Sequence, residues 1–182
     1  MRHKKLTKND APKNITDHER SLKENDFIVS KTDPKGIITY GNRIFVEISG
    51  YAKEEIIGAN HNLIRHPFMP KIAFKLAWDL IQQKKEFFGF VKNLSKDGGF
   101  YWVFAYITPD LDTKGNIIGY TSVRRKPSPR AVEEITGIYK LLNDAESRGG
   151  MKASEKLLND YLNDNKTTYE KFVHELQMGA IA

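Results

Sequence analysis

The sequence predicts an α+β domain: a five-stranded antiparallel sheet with helices on one face, plus C-terminal helices. Three observations carry this. β-rich segments come first as a pair and later as a trio, and polar loops containing glycine separate the members of each group. Between the groups lie short helical segments and one longer amphipathic helix. Beyond Pro127 and Pro129 the pattern becomes wholly helical.

Each element has a local cause. Phe27–Thr32 reads as a strand and Ile37–Tyr40 as its return. Asp33-Pro34-Lys35-Gly36 forms the turn, because Pro presets φ and Gly permits a positive one. Asn42 suits the cap of a helix carrying Phe45, Val46 and Ile48 that stops near Gly50. Short helical pieces follow at Ala52–Ile57, ended by Gly58, and at Asn60–Ile64. Pro70 opens a longer helix on which Ile72, Ala73, Leu76, Ala77, Leu80 and Ile81 make one apolar face. Phe87–Leu94, Phe100–Thr108 and Ile117–Arg125 complete the sheet. Arg130–Glu146, ending near Gly149-Gly150, then Lys152–Asn163 and Thr167–Gln177, read as amphipathic helices.

The predicted division is therefore 1–25 as an N-terminal tail or cap, 26–126 as the sheet domain and 127–182 as a helical segment. The 182 residues hold 29 Lys and Arg against 23 Asp and Glu, with the two signs interleaved, so a solvated surface rather than nucleic-acid binding is expected. No apolar run approaches the ~20 residues of a membrane span, and no secretion signal opens the chain, so a cytoplasmic protein without direct membrane insertion is expected. Absence of Cys excludes disulfides, thiolate nucleophiles, Cys-ligated clusters and a cysteinyl–flavin photoadduct. The sequence holds no HExxH, GxSxG, P-loop or EF-hand pattern, and its five His form no metal-ligand constellation, so no enzyme and no metal site are expected.

Alternation within the strands separates two faces. Phe87, Gly89, Val91 and Asn93 share one, as do Tyr101, Val103, Ala105 and Ile107. Small Gly89 and Ala105 leave room for a cavity there, and the amide of Asn93 could meet the polar edge of a flat guest. Phe100, Trp102, Phe104 and Tyr106 point the other way, toward a partner or the chain's own terminal segments.

Three stretches carry a resemblance. Thr39-Tyr40-Gly41-Asn42-Arg43-Ile44-Phe45, with Ser49-Gly50-Tyr51 and Glu54–Gly58, is similar to the general PAS pattern. Asn62-Leu63-Ile64-Arg65-His66-Pro67-Phe68-Met69-Pro70-Lys71 resembles the Arg-His-Pro-x-Met-Pro segment of the aerotaxis-receptor PAS family. Gly89–Asn93 and Tyr101-Trp102-Val103 resemble the same family. Phe68 stands where the family often has Asp, and Phe87 where it often has Trp.

The resemblance implies a PAS fold binding FAD, with Arg65, His66, Trp78, Phe87, Asn93 and Tyr101 as cofactor-binding positions. Core packing is an equal reading for Trp78. By the same resemblance the chain would be a redox or energy (aerotaxis) sensor, the single-PAS half of a two-protein receptor. The other half would be a membrane-bound methyl-accepting chemotaxis-type transducer. The C-terminal helices themselves read equally as a cap on the domain or as the contact for a homodimer or for that transducer. Two other readings stand beside it: a haem-PAS gas sensor with His61 or His66 as axial ligand, and a cofactor-free dimerisation or scaffold module.

Overall fold

The computed structural model describes residues 5–179. Five antiparallel strands, β1 (Ile28–Thr32), β2 (Ile38–Gly41), β3 (Phe87–Leu94), β4 (Phe100–Leu111) and β5 (Ile117–Arg125), form one sheet in the order β2-β1-β5-β4-β3. The first and last strands thus lie side by side in its interior. β4 runs three residues past the expected Thr108. β3 has already ended at Phe87↔Ile107, so Pro109 pairs only with β5, opposite Tyr120, at the sheet's edge.

Between β2 and β3 lie α1 (Arg43–Ser49), α2 (Lys53–Ile56), a 3-10 turn (His61–Ile64) and α3 (Lys71–Gln82). Asn42 caps α1 by accepting from Phe45 N at 3.1 Å, and Gly50 ends it with φ 74°, where a side chain would strain. Phe45, Ile48, Ile56, Leu63 and Ile64 pack with Ile28, Tyr101 and Val103 on the inner face of the sheet. This is the main core.

The aromatic row on the outer face is covered by the chain itself. α4 (Pro129–Asp164) and α5 (Tyr169–Met178) lay Ile135, Tyr139, Leu142, Phe172, Val173 and Leu176 against Phe90, Trp102 and Phe104. His174 sits 4.3 Å from Phe88 and 5.9 Å from Phe104, centroid to centroid. Gly150, at φ 71° and ψ −172°, breaks α4 into two helices where the sequence predicts a stop. Ser128 and Gln177 close the helical unit: Ser128 N donates to Gln177 Oε1 at 3.2 Å.

An edge strand presents unpaired backbone groups. On β3 these are satisfied from outside: Tyr139 Oη donates to Phe90 O at 2.6 Å, Lys92 N donates to Met69 Sδ at 3.2 Å, and Arg65 bridges to Asn93. The N-terminal segment straps the other end of the hairpin, with Arg20 N donating to Phe100 O at 2.7 Å and Phe100 N to His18 O at 2.9 Å.

Candidate functional site

Between the inner face of the sheet and α3 the structure leaves a cavity of about 320 Å³, within the usual range for small-molecule sites. Phe74, Ala77 and Ile81 on α3, with Val91, Ala105 and Ile107 on the sheet, supply apolar wall. Ser30, His61, Arg65, Asn93, Ser122 and Arg124 supply polar groups. Trp78 stands partly exposed at the wall, edge-on to Tyr120 at 5.4 Å.

Three of the sequence-predicted positions line this cavity. Arg65 follows the 3-10 turn; its guanidinium lies 4.0 Å from the centroid of Phe74 and its Nη2 reaches Met69 O at 3.4 Å. Trp78 comes from the exposed side of α3. Asn93 is buried on β3, and its Nδ2 has no hydrogen-bond partner.

The other three do not line it. His66 is buried behind the loop, where its Nδ1 accepts from Phe68 N at 3.1 Å and its ring meets Phe100 edge-on at 6.1 Å. Burial, then the charges of Lys92 and Lys8, pull its pKa down to about 4. Phe87 fills the end of the sheet, stacked on Tyr169 of α5 at 6.0 Å. Tyr101 lies fully buried in the main core, its hydroxyl unpartnered. Depth along the sheet, not strand face, separates Phe87 and Tyr101 from the lining residues, and His66 sits one position beyond the lining Arg65. Gly89 corrects the reading in the same way. A Cβ there would stand 2.6 Å from the Phe87 ring and 2.8 Å from Tyr169 Oη, so its missing side chain admits those rings and not a guest.

Sequence reasoning missed the polar floor. Arg124, 3 % exposed, donates through Nη2 to Ser30 Oγ, and Ser30 Oγ lies 3.2 Å from His61 Nε2. His61 stacks on Phe45 at 5.8 Å, and burial together with the Arg124 charge pulls its pKa down to about 3, so it is neutral at pH 7. The sequence offered only the alternation of Ser122 and Arg124 along β5, and the pairing of Ser122 with Ser30 of β1 that gives it meaning is tertiary.

An antiparallel five-stranded sheet with its helices arched over a small-molecule cavity is the PAS fold, and residues 38–124 match the family described as PAS fold. This region is a PAS domain. Over 129 residues the chain is 36 % identical to the aerotaxis receptor of Escherichia coli (strain K12), covering 71 % of this chain and 25 % of that one. It is 30 % identical over 97 residues to a nitrogen fixation regulatory protein of Klebsiella pneumoniae, covering 53 % and 20 %. A light-oxygen-voltage domain solved in work on a flavin analogue superposes with a TM-score of 0.53 at 25 % identity, over 60 % of this chain and 82 % of that one. The chain therefore spans a quarter or less of the length of these curated relatives. Among the described residues no helix is long and apolar enough to cross a membrane.

Proposed function

We propose that the chain is a cytoplasmic redox or energy sensor holding FAD in the PAS cavity, and that it is a signalling module rather than an enzyme. The observation that carries this is the cavity itself: a mostly apolar hollow against which the buried Asn93 Nδ2 stands without a partner. A flat heteroaromatic ring with carbonyls along one edge matches those walls and gives that donor an acceptor. Arg65, Trp78 and Asn93 would hold the group; His61, kept neutral, can accept or donate without adding charge. Bound flavin supplies reversible electron uptake that changes its charge and hydrogen bonding. The similarity to the aerotaxis receptor and to a light-oxygen-voltage domain supports the same reading. Against a haem ligand, His66 does not line the cavity and its Nδ1 accepts from Phe68 N, which leaves the proton on Nε2, while the Nε2 of His61 is held at Ser30 Oγ.

The output would leave through the C-terminal helices. α4 touches the wall helix α3 through Glu146, and α5 sends Tyr169 to Phe87 beside Ala77, Ile81 and Tyr120. A change at the cavity can thus shift the helical unit. Its receiver is proposed to be a separate membrane-bound methyl-accepting chemotaxis-type transducer. An absorption spectrum of the purified protein, with the cofactor released by denaturation and identified, tests the reading. Flavin bands and released FAD are expected; a colourless protein that stays so after FAD addition overturns it.

A further inference from the structure

We infer that the cavity selects a guest that turns a negatively charged edge to its floor, and that Arg124 is the residue that makes the selection. The inference uses the cavity as a ligand site and does not depend on the guest being a flavin.

Arg124 comes from an interior strand and is nine-tenths buried or more, yet only Nη2 is engaged, at the neutral Ser30 hydroxyl. Nε and Nη1 have no partner, and among the described residues no carboxylate forms an ion pair with it. The guanidinium lies 4.8 Å from the Phe45 ring centroid, which softens the charge without cancelling it. Burial lowers its pKa only to about 10, so it stays charged at neutral pH. Its polar neighbours do not compensate: His61 is neutral, and burial holds the Tyr101 phenol protonated.

A buried cation with no counter-ion and only part of its donors satisfied is costly, and folded proteins retain few of them. On the lining residues, the fully buried polar atoms left without a partner are all donors: Nε and Nη1 of Arg124 and Nδ2 of Asn93. The floor therefore carries unsatisfied donors and a net positive charge, and no lining residue is anionic. Its chemical complement is an anionic group on a planar, otherwise apolar molecule.

Naphthalene-2-carboxylate and naphthalene-2-carboxamide share a shape and differ in charge. Both are titrated calorimetrically into the full chain after removal of any bound cofactor. The carboxylate is expected to bind about ten- to a hundredfold more tightly, the range of a charge-assisted hydrogen bond formed in a buried site. Arg124→Met should abolish the preference, and Arg124→Lys should keep part of it. Ser30→Asp, which places a counter-ion at Nη2 and retains the arginine, should abolish it too and serves if Arg124→Met does not fold. A carboxylate that binds no tighter than the amide, or not at all, overturns the inference. So does a preference that survives both Arg124→Met and Ser30→Asp. A preference found in a chain that takes up no flavin keeps this inference and removes the cofactor reading; flavin uptake without the preference does the reverse.

Discussion

The carboxylate of Glu146, on α4, accepts a hydrogen bond from the backbone N–H of Ile72 at 2.9 Å and another from Lys71 N at 3.0 Å. α3 therefore receives its N-terminal cap from a different helix, because Pro70 at the capping position offers no side-chain acceptor. Glu146→Ala should lower stability by about 1 kcal/mol, the usual worth of a cap, with Glu146→Gln losing less. Denaturant melts measure the total. Hydrogen exchange should show the amides of Lys71 and Ile72 deprotected while those of β4 are unchanged.

The edge of β3 gives a second expectation. Tyr139→Phe keeps the packing of the ring but leaves Phe90 O without its donor, inside a buried contact. The expected loss is about 1–3 kcal/mol, the cost of one buried unsatisfied acceptor. Denaturation of the variant checks it, and an unchanged midpoint would mean that water replaces the hydroxyl.

Much of this was legible from sequence because local signals governed it. Asn42 and Gly50 bound α1, Pro70 and the apolar stripe place α3, and the glycine-bearing loops separate the sheet's hairpins. The cavity was legible only in part. Asn93 could be assigned by alternation, since a polar residue on the inner face of a strand has few uses there. Arg124 could not, because its meaning depends on β5 lying between β1 and β4, a pairing fixed by tertiary contact. The cover on the aromatic row was open for the same reason. Amphipathic helices after Pro129 could serve a partner equally well, and only the packing of Phe172, Val173 and Leu176 decides it.

Arg65 and Asn93 separate binding from folding. Asn93 Nδ2 makes no bond in the protein, so Asn93→Ala should reduce flavin occupancy while shifting the melting temperature little. Arg65 also anchors the loop through Met69 O and Phe74, so Arg65→Ala should lower both occupancy and stability. Cofactor-to-protein ratio and thermal melts, read together, make the distinction. Unchanged occupancy in both variants would remove these residues from the site.

Acid should weaken the fold in a defined window. The pKa of His61 falls to about 3 and that of His66 to about 4, each chiefly through burial, whereas an unfolded histidine titrates near ~6.5. Between those values the unfolded chain binds more protons than the folded one, so these groups stabilise the fold fully above pH ~6.5. As pH falls through ~6.5 toward the folded values, that contribution is lost at up to about 1.4 kcal/mol per pH unit for each group. Denaturant midpoints at pH 7.5, 6, 5 and 4.5 should decline accordingly. His61→Gln combined with His66→Gln should flatten the decline, although its starting stability will be lower.

The last expectation concerns a sign. A residue kept for packing destabilises the protein when removed, whereas one kept for a ligand can stabilise the empty protein when removed. Arg124 belongs to the second kind, because its unpartnered Nε and Nη1 and its unpaired charge oppose folding. Met matches much of its length, and the Ser30 hydroxyl it abandons retains His61 as a partner. Ligand-free Arg124→Met should therefore melt higher than the parent, by about 2–8 °C, which corresponds to about 1–2 kcal/mol in a chain of this size. Calorimetric scans of both proteins stripped of cofactor measure it. A lower melting temperature would make Arg124 a structural residue whose unpaired atoms the fold tolerates for packing alone. A higher one, together with lost carboxylate preference, ties the instability of the floor to the guest it awaits.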